Sequence, residues 1–229
     1  MSNTAANSPE SKSLALKDPF RSQRLVYRGI EDTDEDKIIF DERIQKDPIS
    51  YAYCGGLIQR PQNRRASDKI LSSICEYTLA AYICLGPTEG EHGDDRGIQG
   101  AVVAENEKKD ERSTVIGMIT VDDGTCDEFR YLHHHRHMEL EIFIAAEYQN
   151  KGYGTEAINW GLDWAFRFAN AHRVYLCSVS FNERASHLYE KIGFKLEGRF
   201  REQVWYDRKW WDLLWYSMLE HEWEDARGS

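Results

Sequence analysis

The sequence predicts an α/β protein, a mixed β-sheet with helices packed on its faces. Between residues 138 and 202, strand-like and helix-like segments alternate. All seven tryptophans lie at or after Trp160 and all five prolines at or before Pro87, so the C-terminal part is dense, proline-free regular structure. Apolar residues are 41% and charged residues 30% of the 229, which suits a folded domain and excludes a wholly disordered chain.

The elements follow in order. Residues 1–18 are small and polar and read as a disordered tail, 19–224 as one domain, and 225–229 as a second tail. Arg24 to Ile30 reads as a strand. Glu31 to Asp36 holds five acids in six positions, an acidic start that suits the positive end of a helix running through Ile38, Ile39 and Phe40. Residues 66–77 read as a helix and Leu79 to Leu85 as a buried strand. The stretch 86–113 carries eight acids against four bases and is too long for an ordinary connector. It is expected to be a mobile insertion, with a lid as the functional alternative. Strands are expected at 114–121 and 138–144, with an irregular Asp122 to Arg130 after the first of them. Next come a helix at 153–169, a strand at 173–180, a helix at 182–192, and strands at 194–202 and 211–219.

Several function classes are disfavoured. A formal charge of −10 offers no basic face for phosphate backbones, so no nucleic-acid partner is expected, while cationic substrates would suit it. No apolar run reaches 18 residues, so no membrane helix is expected. No basic segment leads into an apolar one at the start, so no secretory signal is expected. Five cysteines, widely spaced and without a CxxC pair, point to reduced thiols in the cytoplasm or nucleus.

Chemistry concentrates in residues 139–155, Glu-Leu-Glu-Ile-Phe-Ile-Ala-Ala-Glu-Tyr-Gln-Asn-Lys-Gly-Tyr-Gly-Thr. A strand enters a loop holding Gln149, Gly152 and Gly154 and passes directly into a helix. Glycine lets a ligand approach the backbone, and a helix start offers unpaired N–H groups under a positive dipole end. A pyrophosphate would fit there, and Lys151 adds positive charge. By itself the pattern also fits a plain turn. Neither a Walker loop nor a dinucleotide fingerprint is present in its proper context. Downstream, Asn182-Glu-Arg-Ala-Ser-His-Leu-Tyr-Glu-Lys-Ile-Gly-Phe194 offers a helix N-cap in Asn182 and a helix stop in Gly193.

The two segments together, with a strand between them, resemble the GNAT superfamily of acyl-CoA-dependent N-acyltransferases. The match is to its Q/R-x-x-G-x-G/A loop and its N-x-x-A-x-x-L-Y-x-K-x-G-F segment. The opening Arg24-Leu-Val-Tyr-Arg28 and the ending Trp210-Trp-Asp-Leu213 resemble the branch containing ribosomal-protein alanine acetyltransferases. The resemblance is strong over 138–219 and weaker back to residue 20. It has no counterpart for 86–113. It implies a twisted mixed sheet splayed open by a bulge in its fourth strand, at 138–144, with helices on both faces. It also implies acetyl-CoA as cosubstrate and no metal. The backbone of Ile142, Phe143 and Ile144 would pair with the pantetheine arm and polarise the thioester carbonyl. Gln149, Asn150, Lys151, Gly152, Tyr153, Gly154 and Thr155 would cradle the pyrophosphate. Asn182 would anchor the cofactor arm and Tyr189 would face the sulfur.

Acyl transfer to an amine needs a neutral amine and a protonated leaving thiol. A free lysine is neutral in only roughly one part in a thousand at pH 7, so a base helps, directly or through water. Strand alternation puts Glu139, Glu141 and Phe143 on one face and Leu140, Ile142 and Ile144 on the other. Either acid can serve as base; a solvated polar strand face is the bland alternative. Glu139 aligns with the family's common acid, whereas Glu141 departs from near relatives. Tyr189 is the general-acid candidate, against ordinary helix packing. The acceptor is expected to be a small amine or a protein N-terminus, reached in a ternary complex. A GNAT-fold module that binds acyl-CoA without turnover is the alternative. His133 to His137 reads as a turn entering the strand, since no partner stands at metal-ligand spacing. Tryptophans 205, 210, 211 and 215 are expected to pack a hairpin, with an aromatic substrate wall or a homodimer interface as alternatives.

Overall fold

Apolar alternation along seven strands builds one sheet, seen in a computed structural model that describes residues 18–46, 63–86, 114–123 and 134–228. The strands are β1 (Leu25–Gly29), β2 (Leu79–Leu85), β3 (Val115–Asp122), β4 (His137–Ile144), β5 (Arg173–Val179), β6 (Lys195–Tyr206) and β7 (Lys209–Leu219). Their spatial order is β1-β2-β3-β4-β5-β7-β6. Every neighbouring pair is antiparallel except β4 with β5. Residues 1–17 of the expected tail (1–18), most of the expected insertion (87–113) and residues 124–133 lie outside the described residues.

Both faces are covered. On one, α3 (Tyr153–Arg167), α4 (Glu183–Ile192) and α5 (Glu220–Arg227) pack on Ile119, Leu140, Leu176 and Leu214. On the other, α1 (Asp34–Ile39), a π-helical turn (Phe40–Gln45) and α2 (Arg64–Ile74) pack on Tyr82, Met118 and Phe143. Fully buried side chains such as Leu71, Ile119 and Leu162 each contribute about 1.5–3 kcal/mol through removal from water.

The acidic start of α1 does more than meet a helix dipole. Asp36 is 2% exposed and takes a fork of two hydrogen bonds from Arg28 (2.7 and 3.0 Å) and one from the Glu31 amide. Arg28 thereby fastens β1 to the helix that covers it, and the pairing raises the guanidinium pKa.

Three expectations need correction. The fourth strand holds an unbroken register against β3 from Asp122↔Glu139 to Gly117↔Ile144, so its splay arises by divergence from β5 and not from a bulge in this pairing. Strand β6 extends to Tyr206, because Asp207 and Arg208 both take left-handed φ (46° and 59°) and close a tight hairpin whose twist matches its strands. Residues 225–227, expected as tail, belong to α5, where Arg227 and Trp223 both donate to Asp163 of α3.

Candidate active site

The parallel pairing of β4 with β5 lasts three residues, His137↔Arg173, Met138↔Val174 and Glu139↔Tyr175. Beyond Glu139 the strands part, and a cleft of about 470 Å³ opens between them. Leu140 to Ile144 form one wall and Cys177 and Ser178 of β5 the other. On this stretch of β4 alternate backbone groups face β3, which leaves the rest directed at the gap.

One end of the cleft is built by two helix starts. Gly152 is the N-cap of α3 with φ of 82°, a left-handed conformation that glycine adopts without penalty. The preceding Asn150 is also left-handed, at φ 61°. A Cβ on Gly154 would touch only Leu188 Cδ2 at 3.7 Å and Ile144 Cγ1 at 3.9 Å. Packing within the protein therefore tolerates a side chain there, and the bare backbone leaves room for a ligand. Asn182 caps α4 by accepting from the Ala185 amide at 3.3 Å. Both helix starts line the same cleft, where unpaired N–H groups and the positive dipole ends favour negative charge.

The loop between β4 and α3 is held from two sides. Gln149 donates to the Ile144 carbonyl at 2.7 Å and accepts from Arg184 at 2.7 Å, joining β4, loop and α4. Behind the loop, Arg24 donates to the Lys151 carbonyl (3.0 Å) and to Glu156 (2.8 Å), and its guanidinium covers the Tyr153 ring at 4.6 Å. The Ser22 hydroxyl and the Arg24 amide complete the set of donors on Glu156. These hydrogen bonds lower the Glu156 pKa against the opposing effect of its burial, the largest single influence. Arg24 thus offsets the charge of a carboxylate in the first turn of α3.

The acids occupy the other end. Glu139 and Glu141 share a face of β4, as alternation requires, and both line the cleft. Glu139 accepts from the Tyr175 hydroxyl and Glu141 from the Thr120 hydroxyl, each at 3.4 Å. Trp215 stacks on Tyr175, with ring centroids 5.0 Å apart, and so packs behind the residue that donates to Glu139. Cys177 lies close enough that burial first, then Glu139 and Glu141, push its thiol up to about 12. Tyr189 enters from α4 and is buried, packed near Phe194 and edge-on to Tyr216.

The cleft thus brings together Glu139, Glu141, Ile142, Phe143, Ile144, Gln149, Asn150, Gly152, Gly154, Thr155, Asn182 and Tyr189. It does not bring in Lys151, whose ammonium sits over the Tyr148 ring, or Tyr153, which lies under Arg24. Sequence reasoning missed Arg184, Cys177 and Ser178, which also line it. The available signal was that residues 173–180 form the strand between the two motifs, and so the opposite wall of any gap.

His134 and His135 form a turn before β4, with His137 at its first position beside Arg173. Burial, Arg173, His135 and His172 all lower the His137 pKa. Among the described residues no group of three potential ligands is placed to hold a metal. Trp205 and Trp210 pair across the β6–β7 hairpin.

Comparison with known proteins agrees with this architecture. The family model described as "Acetyltransferase (GNAT) family" matches residues 62–194, more than half of the chain. A spermidine N(1)-acetyltransferase of Escherichia coli K12 is 32% identical over 113 residues, 49% of this chain and 61% of that one. The proposed ribosomal N-acetyltransferase YdaF of Bacillus subtilis is 34% identical over 92 residues, 40% of this chain and 50% of its own. The chain therefore spans between half and about three fifths of these relatives' lengths. The crystal structure of a Vibrio cholerae spermidine N-acetyltransferase in complex with CoA and spermine superposes with a TM-score of 0.62. It is 22% identical, covers 87% of this chain and 98% of its own, and shares the fold. With its split β4–β5 pair and its glycine loop at a helix start, the chain belongs to the acetyltransferase (GNAT) family.

Proposed function

We propose that the protein transfers an acetyl group from acetyl-CoA to a primary amine by direct attack in a ternary complex. The observation that carries this reading is one cleft lined by the helix start at Gly152–Thr155 and by the acids Glu139 and Glu141. The space beside Gly154 and the open backbone of β4 fit an extended, phosphate-bearing ligand. Acetyl-CoA supplies the activated acyl group. The chain's own residues orient it and handle protons.

The loop and the two helix starts hold the diphosphate through main-chain N–H groups, while Ile142 to Ile144 align the arm along β4. A cationic amine enters on the acidic side, where Glu139 or Glu141 takes its proton, directly or through water. The Tyr189 hydroxyl stabilises negative charge developing on the departing sulfur. Cys177 stays a neutral thiol at physiological pH, which disfavours an acyl-cysteine intermediate.

For the acceptor we infer a small polycationic amine over a protein N-terminus. Two carboxylates, Glu139 and Glu141, line the cleft and present negative charge that attracts a polycation. The names of the relatives, which include spermidine acetyltransferases, support the same class. Steady-state assays with acetyl-CoA and separate amines test this: spermidine should give a kcat/KM at least tenfold above that of a neutral-tailed monoamine. Equal values would remove the polyamine assignment and leave the acyl transfer in place.

A further inference from the structure

The peptide bond between Lys151 and Gly152 is gripped from behind the cleft. Lys151 stands between two left-handed residues, Asn150 (φ 61°) and Gly152 (φ 82°), in the loop that opens α3. Its carbonyl accepts from Arg24 Nη1 at 3.0 Å. Arg24 packs against the turn itself, since a Cβ on Gly152 would lie 3.3 Å from Arg24 Nη2. The peptide is trans, so its N–H, which belongs to Gly152, points opposite to the carbonyl that Arg24 holds. Gly152 lines the cleft and Arg24 does not.

A peptide ending in glycine can turn over at little steric cost, because glycine accepts either sign of φ. Turned over, this one would offer a carbonyl oxygen where an N–H had stood. Arg24 is itself well fixed. Its Nε donates to Glu156 at 2.8 Å and its own amide to the same carboxylate at 2.7 Å. The Arg24 carbonyl accepts from the Gly86 amide at 2.8 Å, at the edge of the sheet. We propose that Arg24 is a positioning residue for the acyl donor: by bridging the Lys151 carbonyl to Glu156, it keeps the Gly152 N–H directed into the cleft for the diphosphate. This rests on the acetyl-CoA reading above. Lysine cannot substitute, because the bridge uses two nitrogens of a planar fork pointing in different directions.

Arg24→Lys keeps the charge and loses the fork, whereas Arg24→Ala loses both. By calorimetry each should bind CoA about tenfold more weakly than wild type, the scale of one hydrogen bond to a charged group. Guanidinium chloride, far below its denaturing range, should restore affinity to Arg24→Ala, and equal sodium chloride should not. In ligand-free protein labelled with 15N-glycine, the Gly152 amide signal should shift or broaden in both variants. That of Gly161, inside α3, should stay in place. Wild-type CoA affinity in Arg24→Lys overturns the proposal, since charge alone would then suffice. An unmoved Gly152 amide overturns it, and so does an equal disturbance at Gly161, which would mean general loosening. Absence of a guanidinium-specific rescue also counts against it. If Arg24→Ala does not fold, Arg24→Lys carries the affinity and amide measurements. If the wild type itself does not bind CoA, the acetyl-CoA reading fails and this role with it.

Discussion

Tyr175 lies in register with Glu139 on the strand parallel to it, and its hydroxyl donates to the Glu139 carboxylate at 3.4 Å. This contact sits at the last paired position before the two strands part. The acid that faces the cleft is therefore held where the sheet is still closed, with Trp215 stacked behind the tyrosine. Glu141, two residues on, stands where β5 has moved away and is the more exposed of the two.

On that difference we propose Glu139 as the base. Glu139→Gln should lower the rate at pH 7 by about 10²-fold or more and recover as pH rises, because the amine then loses its proton unaided. Tyr175→Phe should cost less than tenfold. Rate profiles from pH 6 to 10 for Glu139→Gln and Glu141→Gln decide the assignment. High-pH rescue in Glu141→Gln alone would move the base along the strand.

Tyr189→Phe keeps the ring in its packing and removes only the hydroxyl. Turnover should fall about 10²-fold, with CoA affinity within twofold of wild type and no recovery at high pH. A single-turnover measurement separates chemistry from product release. Wild-type chemistry in the variant would return this tyrosine to a packing role.

The two loop glycines should fail differently. Gly152→Ala forces a side chain into φ of 82° and should cost about 1–2 kcal/mol of stability as well as CoA affinity. Gly154→Ala meets no clash inside the protein and should leave the Tm unchanged while weakening CoA binding at least tenfold. Thermal unfolding paired with calorimetry on both variants checks this. Equal loss of stability in the two would remove the reading of the Gly154 gap as ligand space.

Cys177 should be inert. With its thiol near 12, about one part in ten thousand is thiolate at pH 8, so alkylation should be slow and Cys177→Ala should retain turnover. Since Glu139 and Glu141 contribute to the upward shift, the double Gln variant should alkylate faster. Peptide mapping after iodoacetamide treatment reads both effects. Rapid modification of wild-type Cys177 with parallel loss of activity would reopen a covalent route.

Much of this site was legible because its geometry is local. Strand alternation alone placed Glu139, Glu141 and Phe143 on one face, and Gly152 and Gly154 marked the strand-to-helix turn. What stayed hidden depends on partners far away in sequence. Asp36 reads as a helix-dipole acid until Arg28 reaches it across the β1 turn. Arg24 reads as a strand residue until Glu156, 132 positions away, gathers it behind the loop. Helix α5 escaped notice because Leu219, an atypical N-cap, starts it, and Glu222 supplies the cap by accepting from the Leu219 amide. The opposite wall of the cleft, with Cys177 and Ser178, exists only because two strands pair for three residues and then separate.

The central claim is that one cleft joins acetyl-CoA to a cationic amine, and free-thiol release tests it most directly. Purified protein with acetyl-CoA and spermidine should release thiol and acetylated amine in equal amounts, with Tyr189→Phe and Glu139→Gln both slowed at pH 7. Tight CoA binding without thiol release across spermidine, spermine, monoamines and peptide N-termini would contradict the account and leave an acyl-CoA-binding module.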